Sequence, residues 1–215
     1  MGLEGPEGFA EAFPVSRETL KRLTLYANLL ERWQKTHNLV SPGTLPELWS
    51  RHMADSAQLV GMVPQARRWL DLGSGAGFPG MVAAIMLAEA EDAEVHLVES
   101  NAKKCAFLNT VRRETGAPVT VHEARIERVA NHLPKPFHVI SARALAPLSE
   151  LCAYVLPLMK KNTIALFPKG REAPREIDEA LRTWNLVYNE VASLTDPQGR
   201  ILMVQSLQRR ERLIT

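Results

Sequence analysis

The sequence predicts a Rossmann-like α/β fold: a doubly wound, mainly parallel sheet that closes on a C-terminal antiparallel hairpin and follows a helical extension. Three observations carry that prediction. From residue 67 onward, short apolar runs alternate with helical stretches, the pattern of βαβ units with right-handed crossovers. One strand-to-helix junction is glycine-rich, with Gly73, Gly75 and Gly77 in alternation. The last two apolar runs, residues 186–194 and 200–207, are joined by TDPQG, which leaves no room for a helix and pairs them antiparallel.

From Ser16, a cap residue, Leu20, Leu23, Ala27, Leu30 and Trp33 recur at helical spacing with Tyr26 beside them. A second helix is expected from Thr44. Thr44 and Glu47 have capping-box spacing, Pro46 suits a first turn, and Leu45, Leu48, Trp49, Leu59 and Val60 give the apolar side. These helices assign residues 1–66 to an extension packed on a core of residues 67–215. Within the core, strands are expected at 69–72, 95–99, 119–121, 137–142 and 163–167. Helices are expected at 80–89, 102–115, 148–159 and 175–184, with a short segment near Ile126.

With 215 residues, 46% of them hydrophobic and 23% charged, the composition is that of a globular domain and excludes disordered or collagen-like chains. No run approaches the roughly 18 to 20 apolar residues of a membrane span, and the opening MGLEGPEGFAEAFP is acidic where a secretory signal is basic, so a cytoplasmic protein is expected. Cys105 and Cys152 stand far apart without CxxC spacing and read as core thiols. The six histidines show neither HxxxH nor HExxH, so no metal site is expected. No heptad demands a partner, and a monomer is expected. Residues 101–215 hold 18 Lys and Arg against 11 Asp and Glu, a net +7, which suits a polyanion but equally describes solvated basic faces.

The segment LDLGSGAGFPG, residues 70–80, runs from a strand through three alternating glycines into a helix, so backbone approaches a ligand with no Cβ between. Gly75, Gly77 and Gly80 also satisfy GxGxxG, but in a dinucleotide loop the first glycine directly follows the strand, and counting from Gly73 puts Phe78 in the third place. Asp71, two residues before Gly73, suits an S-adenosylmethionine loop, where an acid acts near the cationic amino group and sulfonium. The next strand ends in Glu99, placed to accept from ribose hydroxyls. Arg125, Ile126 and Glu127 follow the third strand where an adenine edge would lie, with Ile126 able to pack on the ring.

Acceptor classes can be narrowed. Cytosine C5 transfer needs a thiolate, usually after proline, but Lys104 precedes Cys105 and Leu151 precedes Cys152. Adenine amino transfer uses an Asn/Asp-Pro-Pro-aromatic loop after the fourth strand, where this chain reads SARALAP. What is left is an acceptor that needs no proton removed, such as guanine N7, served by positioning and electrostatics rather than a general base.

The glycine segment, with HNLVS at 37–41, RHMADS at 51–56, ISARALAPL at 140–148 and PKG at 168–170, resembles the glucose-inhibited division protein B family, bacterial small-subunit ribosomal RNA guanine-N7 methyltransferases. The resemblance implies S-adenosylmethionine as cofactor and 16S rRNA or the small ribosomal subunit as partner. It places Gly73 and Phe78 on the methionine side, Ile126 and Glu127 on the adenine side and Arg143 as a binding position after the fourth strand; the reading of the loop itself adds Asp71, Gly75 and Gly77 to the cofactor site, and Glu99 as the ribose ligand. Asn38, His52, Asp55, Arg143, Lys169 and Arg200 are then expected to position substrate, with Ser56 on the same surface. Arg51, Lys103, Lys104, Lys169, Arg171 and Arg200 are expected to contact RNA. Taken without the resemblance, the residues also suit a small-molecule methyltransferase or a non-catalytic RNA-binding assembly factor.

Overall fold

A computed structural model describes residues 3–130, 132–134 and 136–211. Among the described residues seven strands form one sheet: β1 (Arg68–Leu72), β2 (Glu94–Glu99), β3 (Val119–Glu123), β4 (Val139–Ser141), β5 (Ile164–Lys169), β6 (Trp184–Ala192) and β7 (Arg200–Arg209). Their order is β3-β2-β1-β4-β5-β7-β6, parallel through β5. The hairpin enters by its second strand, β7 lying antiparallel between β5 and β6, so Lys169 stands opposite Arg200.

Around the sheet lie α1 (Pro6–Ala12), α2 (Arg17–Gln34), α3 (Asp55–Met62), α4 (Gly80–Met86), α5 (Ala102–Thr115), α6 (Ile126–Val129), α7 (Leu148–Val155) and α8 (Ala173–Leu181). Strand residues alternate between two cores. Trp69, Val95 and Leu97 join the side chains of α1 to α5, whereas Leu70, Leu72, Val98 and Ile140 join those of α7 and α8. Helix α2 carries the expected cap, with the Ser16 hydroxyl accepting from Thr19 N at 3.0 Å. Helix α5 ends on Gly116 at φ +67°, a left-handed stop. No described helix is long and apolar enough to cross a membrane.

Three sequence expectations are corrected. Helix α1 was not expected, its seven residues being too few for a repeating apolar period. The Thr44–Glu47 capping box does not form: Thr44 sits inside a 3-10 turn (Pro42–Thr44), and its hydroxyl donates to Ser41 O at 2.8 Å. Helical backbone resumes as a π turn (Trp49–Ala54) that runs into α3. Finally, Trp184 opens β6 instead of closing α8, anchored by its indole N–H on Ser149 O at 3.1 Å.

Candidate active site

The order of strands reverses between β1 and β4, and a doubly wound sheet opens a crevice at the carboxyl ends there. Residues 73–76 and Phe78 line it. Gly73 takes φ +66°, and a Cβ on it would lie 2.5 Å from Leu145 Cδ1. The loop is fastened from two sides. Glu99 at the end of β2 accepts from Gly75 N at 2.9 Å and Asn101 N at 2.8 Å. Tyr26 of α2, fully buried, donates to Ala76 O at 2.5 Å and stacks on Phe78 with centroids 5.3 Å apart. Tyr26 was read only as part of an apolar stripe; a buried phenol seeking a partner was the signal of a longer reach.

Beside the loop is a cavity of about 430 Å³, with Glu99 on its wall, Ile126 and Glu127 beyond it, and Val40 and Thr44 contributed by the N-terminal segment. Gly73, Gly75, Phe78, Lys104 and Arg143 also line it. Gly77 lies behind, where a Cβ would meet the Tyr26 hydroxyl at 2.7 Å.

Asp71 departs from expectation. Its carboxylate is fully buried beneath the loop and takes no part in the cavity wall. Ser141 Oγ donates to Asp71 Oδ1 at 2.6 Å and accepts from Trp69 Nε1 at 2.8 Å, while Asp71 Oδ2 has no hydrogen-bond partner among the described residues. Burial outweighs the Ser141 hydrogen bond and lifts the carboxyl from its ordinary 3.8 to about 6. A folded-state value above the unfolded one means that folding binds protons between the two, so this group's contribution to stability is lost as pH rises from about 4 through about 6, on the order of 3 kcal/mol. His52 acts oppositely: burial, then Arg143 and Arg51, lower it from 6.5 to about 3, so its contribution is lost as pH falls through that window. Asp71→Asn is therefore expected to make stability climb more steeply from pH 4 to 6 than in the native chain. Urea midpoints at successive pH values measure this, and parallel curves would contradict a buried, protonatable Asp71.

Arg143, after β4, joins four elements. It donates to Asp55 Oδ2 at 3.0 Å, Arg51 O at 3.0 Å and His52 Nδ1 at 2.7 Å, and its guanidinium lies 5.3 Å from the Phe78 ring centre. Because His52 accepts at Nδ1, its proton resides on Nε2 and is donated to Thr44 Oγ1 at 2.9 Å. Asp55 Oδ1 accepts from Thr195 Oγ1 in the hairpin turn at 2.8 Å and from Gln58 Nε2 at 2.9 Å. Ser56 turns away, its hydroxyl on His52 O at 2.6 Å. The sequence brought out Arg143, His52 and Asp55, gave Thr44 only as a helix cap, and missed Gln58 and Thr195, whose bonds join α3 to a turn more than a hundred residues distant.

A second cavity, about 440 Å³, shares Arg143, Ala144 and Leu145 with the first. Lys169 and Arg200 line it from neighbouring strands. Lys169, expected as a phosphate contact, has a side chain only 8% exposed, and its ammonium is held by Glu176 Oε2 at 2.7 Å and Ala146 O at 2.9 Å. Arg200 donates to Gly199 O at 2.8 Å and has no carboxylate partner among the described residues. Arg171 is exposed, with its Nε on Gln198 Oε1 at 3.1 Å. Asn38 and Lys103 line a separate shallow pocket near the start of α5, and Arg51 is exposed, 3.8 Å from Glu47. Cys105 and Cys152 are buried, and burial pushes both thiols up to about 11.

A family model described as GidB, rRNA small subunit methyltransferase G, matches residues 19–205. The chain belongs to this family. Among its relatives, the ribosomal RNA small subunit methyltransferase G of Methylorubrum populi is 53% identical over 195 residues, covering 91% of this chain and 92% of the relative. That of Parvibaculum lavamentivorans is 52% identical over 202 residues, covering 94% and 89%. The fold is shared more widely: an O-methyltransferase from Bacillus cereus solved with SAH superposes with a TM-score of 0.59 at 14% identity, covering 89% of this chain and 91% of that one. Family membership accounts for five separated motifs occurring in one order, which the glycine loop alone could not explain.

Proposed function

We propose that the protein transfers a methyl group from S-adenosylmethionine to N7 of a guanine in 16S ribosomal RNA, acting as a cytoplasmic monomer. The observation that carries this reading is the pair of cavities meeting at residues 143–145, one walled by glycine backbone and the other by charged side chains. The first suits the cofactor. A Cβ on Gly75 would meet nothing nearer than Gly73 O at 3.9 Å, so the loop leaves open space where a ligand can lie against backbone. Each Glu99 carboxylate oxygen accepts from one backbone amide, and its remaining lone pairs can accept from ribose hydroxyls. Ile126 offers an apolar edge for adenine, with Glu127 beside it.

S-adenosylmethionine, when bound, supplies an electrophilic methyl carbon on a sulfonium. Guanine N7 carries an in-plane lone pair, so the protein has no proton to remove and its work is alignment. Arg143 is the hinge of that alignment, bordering both cavities while its charge is balanced by Asp55. Neutral His52 fixes the guanidinium without adding positive charge near a sulfonium. Residues 1–66 serve as an extension that closes one side of the cofactor cavity through Val40, Thr44 and Tyr26.

Lys103, Lys104, Arg125, Arg171 and Arg200 have no carboxylate partner among the described residues and supply the cations for phosphate contacts. Affinity for small subunits is accordingly expected to fall steeply with salt. Replacing Arg171 and Arg200 together by Ala should lower the log–log slope by about 1.4 to 1.8, from about 0.7 to 0.9 for each phosphate contact. Filter binding across a salt series measures it. A flat dependence in the native protein would favour a small, uncharged acceptor.

A further inference from the structure

Three carboxylates line the second cavity: Asp55, Glu176 and Asp196. Two are ion-paired, Asp55 with Arg143 and Glu176 with Lys169. Asp196 has no cation beside it among the described residues; its Oδ1 accepts only the backbone N–H of Gln198, at 2.9 Å. The turn that carries it is held firmly. Leu194 N donates to Gln58 Oε1 at 2.8 Å, Thr195 Oγ1 to Asp55 Oδ1 at 2.8 Å, and Gly199 N to Asp196 O at 2.9 Å. A Cβ at Gly199 would lie 2.9 Å from Ser193 Cβ and 3.0 Å from Asp196 Cβ, so the turn is packed against itself.

We propose that Asp196 selects guanine as the acceptor base, its carboxylate receiving the N1–H and 2-amino hydrogens of the Watson–Crick edge. This rests on the proposed function, with the second cavity holding the acceptor base beside the cofactor. The chemistry favours guanine among purines: N1–H and the 2-amino group are adjacent donors that match an acceptor-only carboxylate, whereas adenine presents a lone pair at N1 and is repelled. It also sets orientation. N7 lies on the opposite side of the purine from N1 and the 2-amino group, so a base held at the hairpin turn by Asp196 directs N7 toward residues 143–145, where the two cavities meet. An unstacked single-stranded base presents that edge freely, which suits recognition of a nucleotide drawn out of RNA.

The test pairs a variant with a base analogue. Asp196→Asn keeps an oxygen for Gln198 N, and so preserves the turn, but exchanges the charge and an acceptor for a donor amide. Small subunits are reconstituted with 16S rRNA carrying either guanine or inosine, which lacks the 2-amino group, at the methylated position found with the native enzyme. Native protein is expected to favour guanine by about 10- to 100-fold in kcat/KM, the range of one hydrogen bond to a charged group. Asp196→Asn is expected to lose activity on guanine by a similar factor, to discriminate less than about threefold, and to bind S-adenosylmethionine with unchanged Kd. Native-like discrimination by Asp196→Asn would overturn the assignment even if its overall activity had dropped. Absence of methyl transfer by the native protein would instead overturn the proposed function, and this inference with it.

Discussion

Gly75→Asp is expected to fold as the native chain does and to lose S-adenosylmethionine affinity by at least about 100-fold. Gly75 sits at φ +57°, a left-handed conformation that Asp tolerates better than most side chains, and a Cβ there meets no atom within 3.9 Å. The open space it would enter is the first cavity, where the cofactor is proposed to lie. The new carboxylate would also stand beside Glu99, whose Oε2 is 2.9 Å from Gly75 N, and the two charges would repel. Gly73→Asp is a poorer probe, since its Cβ would strike Leu145 and disturb the loop as well as the ligand. Calorimetric titration gives the affinity and urea unfolding the stability. A Gly75→Asp protein that binds S-adenosylmethionine like the native one would contradict the loop's assignment.

Arg143→Ala is expected to lower kcat/KM for small subunits by about a thousandfold, several kcal/mol of alignment, while changing S-adenosylmethionine affinity far less. The substitution removes three hydrogen bonds at once, to Asp55, His52 and Arg51 O, together with the stack on Phe78. Asp55 and Arg143 are 17% and 18% exposed, so the carboxylate left behind keeps only Thr195 and Gln58, and stability should fall by about 2 kcal/mol, below the range for a fully buried pair. Arg143→Lys should rescue little, because one ammonium cannot reproduce a planar fork shared among three acceptors. Steady-state kinetics at saturating cofactor separates the alternatives: a large loss of cofactor affinity with kcat retained would make Arg143 a cofactor ligand alone.

The sheet was legible because its signals are local. The helical stretch read at 102–115 is α5 with the same bounds, and the glycine loop announced the crevice beside β1. What the sequence could not convey is the direction in which a side chain turns once its partner comes from elsewhere. Asp71 ends a strand beside the loop, yet Ser141 draws it inward. Lys169 reads as an exposed base, yet Glu176 and Ala146 O take its ammonium. The hairpin turn reads as a connector, but Thr195 and Leu194 bind it to Asp55 and Gln58 of α3 and bring Asp196 into the second cavity. Helix α2 shows the same limit, because the Tyr26 hydroxyl finds its acceptor fifty residues away, at Ala76.

The central claim is tested most directly by transfer of labelled methyl from S-adenosylmethionine to small ribosomal subunits taken from a strain without the gene, followed by nuclease mapping of the labelled nucleotide. Label in a single N7-methylguanine of 16S rRNA is the predicted result. Label in another nucleotide or atom, or none on subunits and naked RNA while the protein binds S-adenosylmethionine, would contradict it.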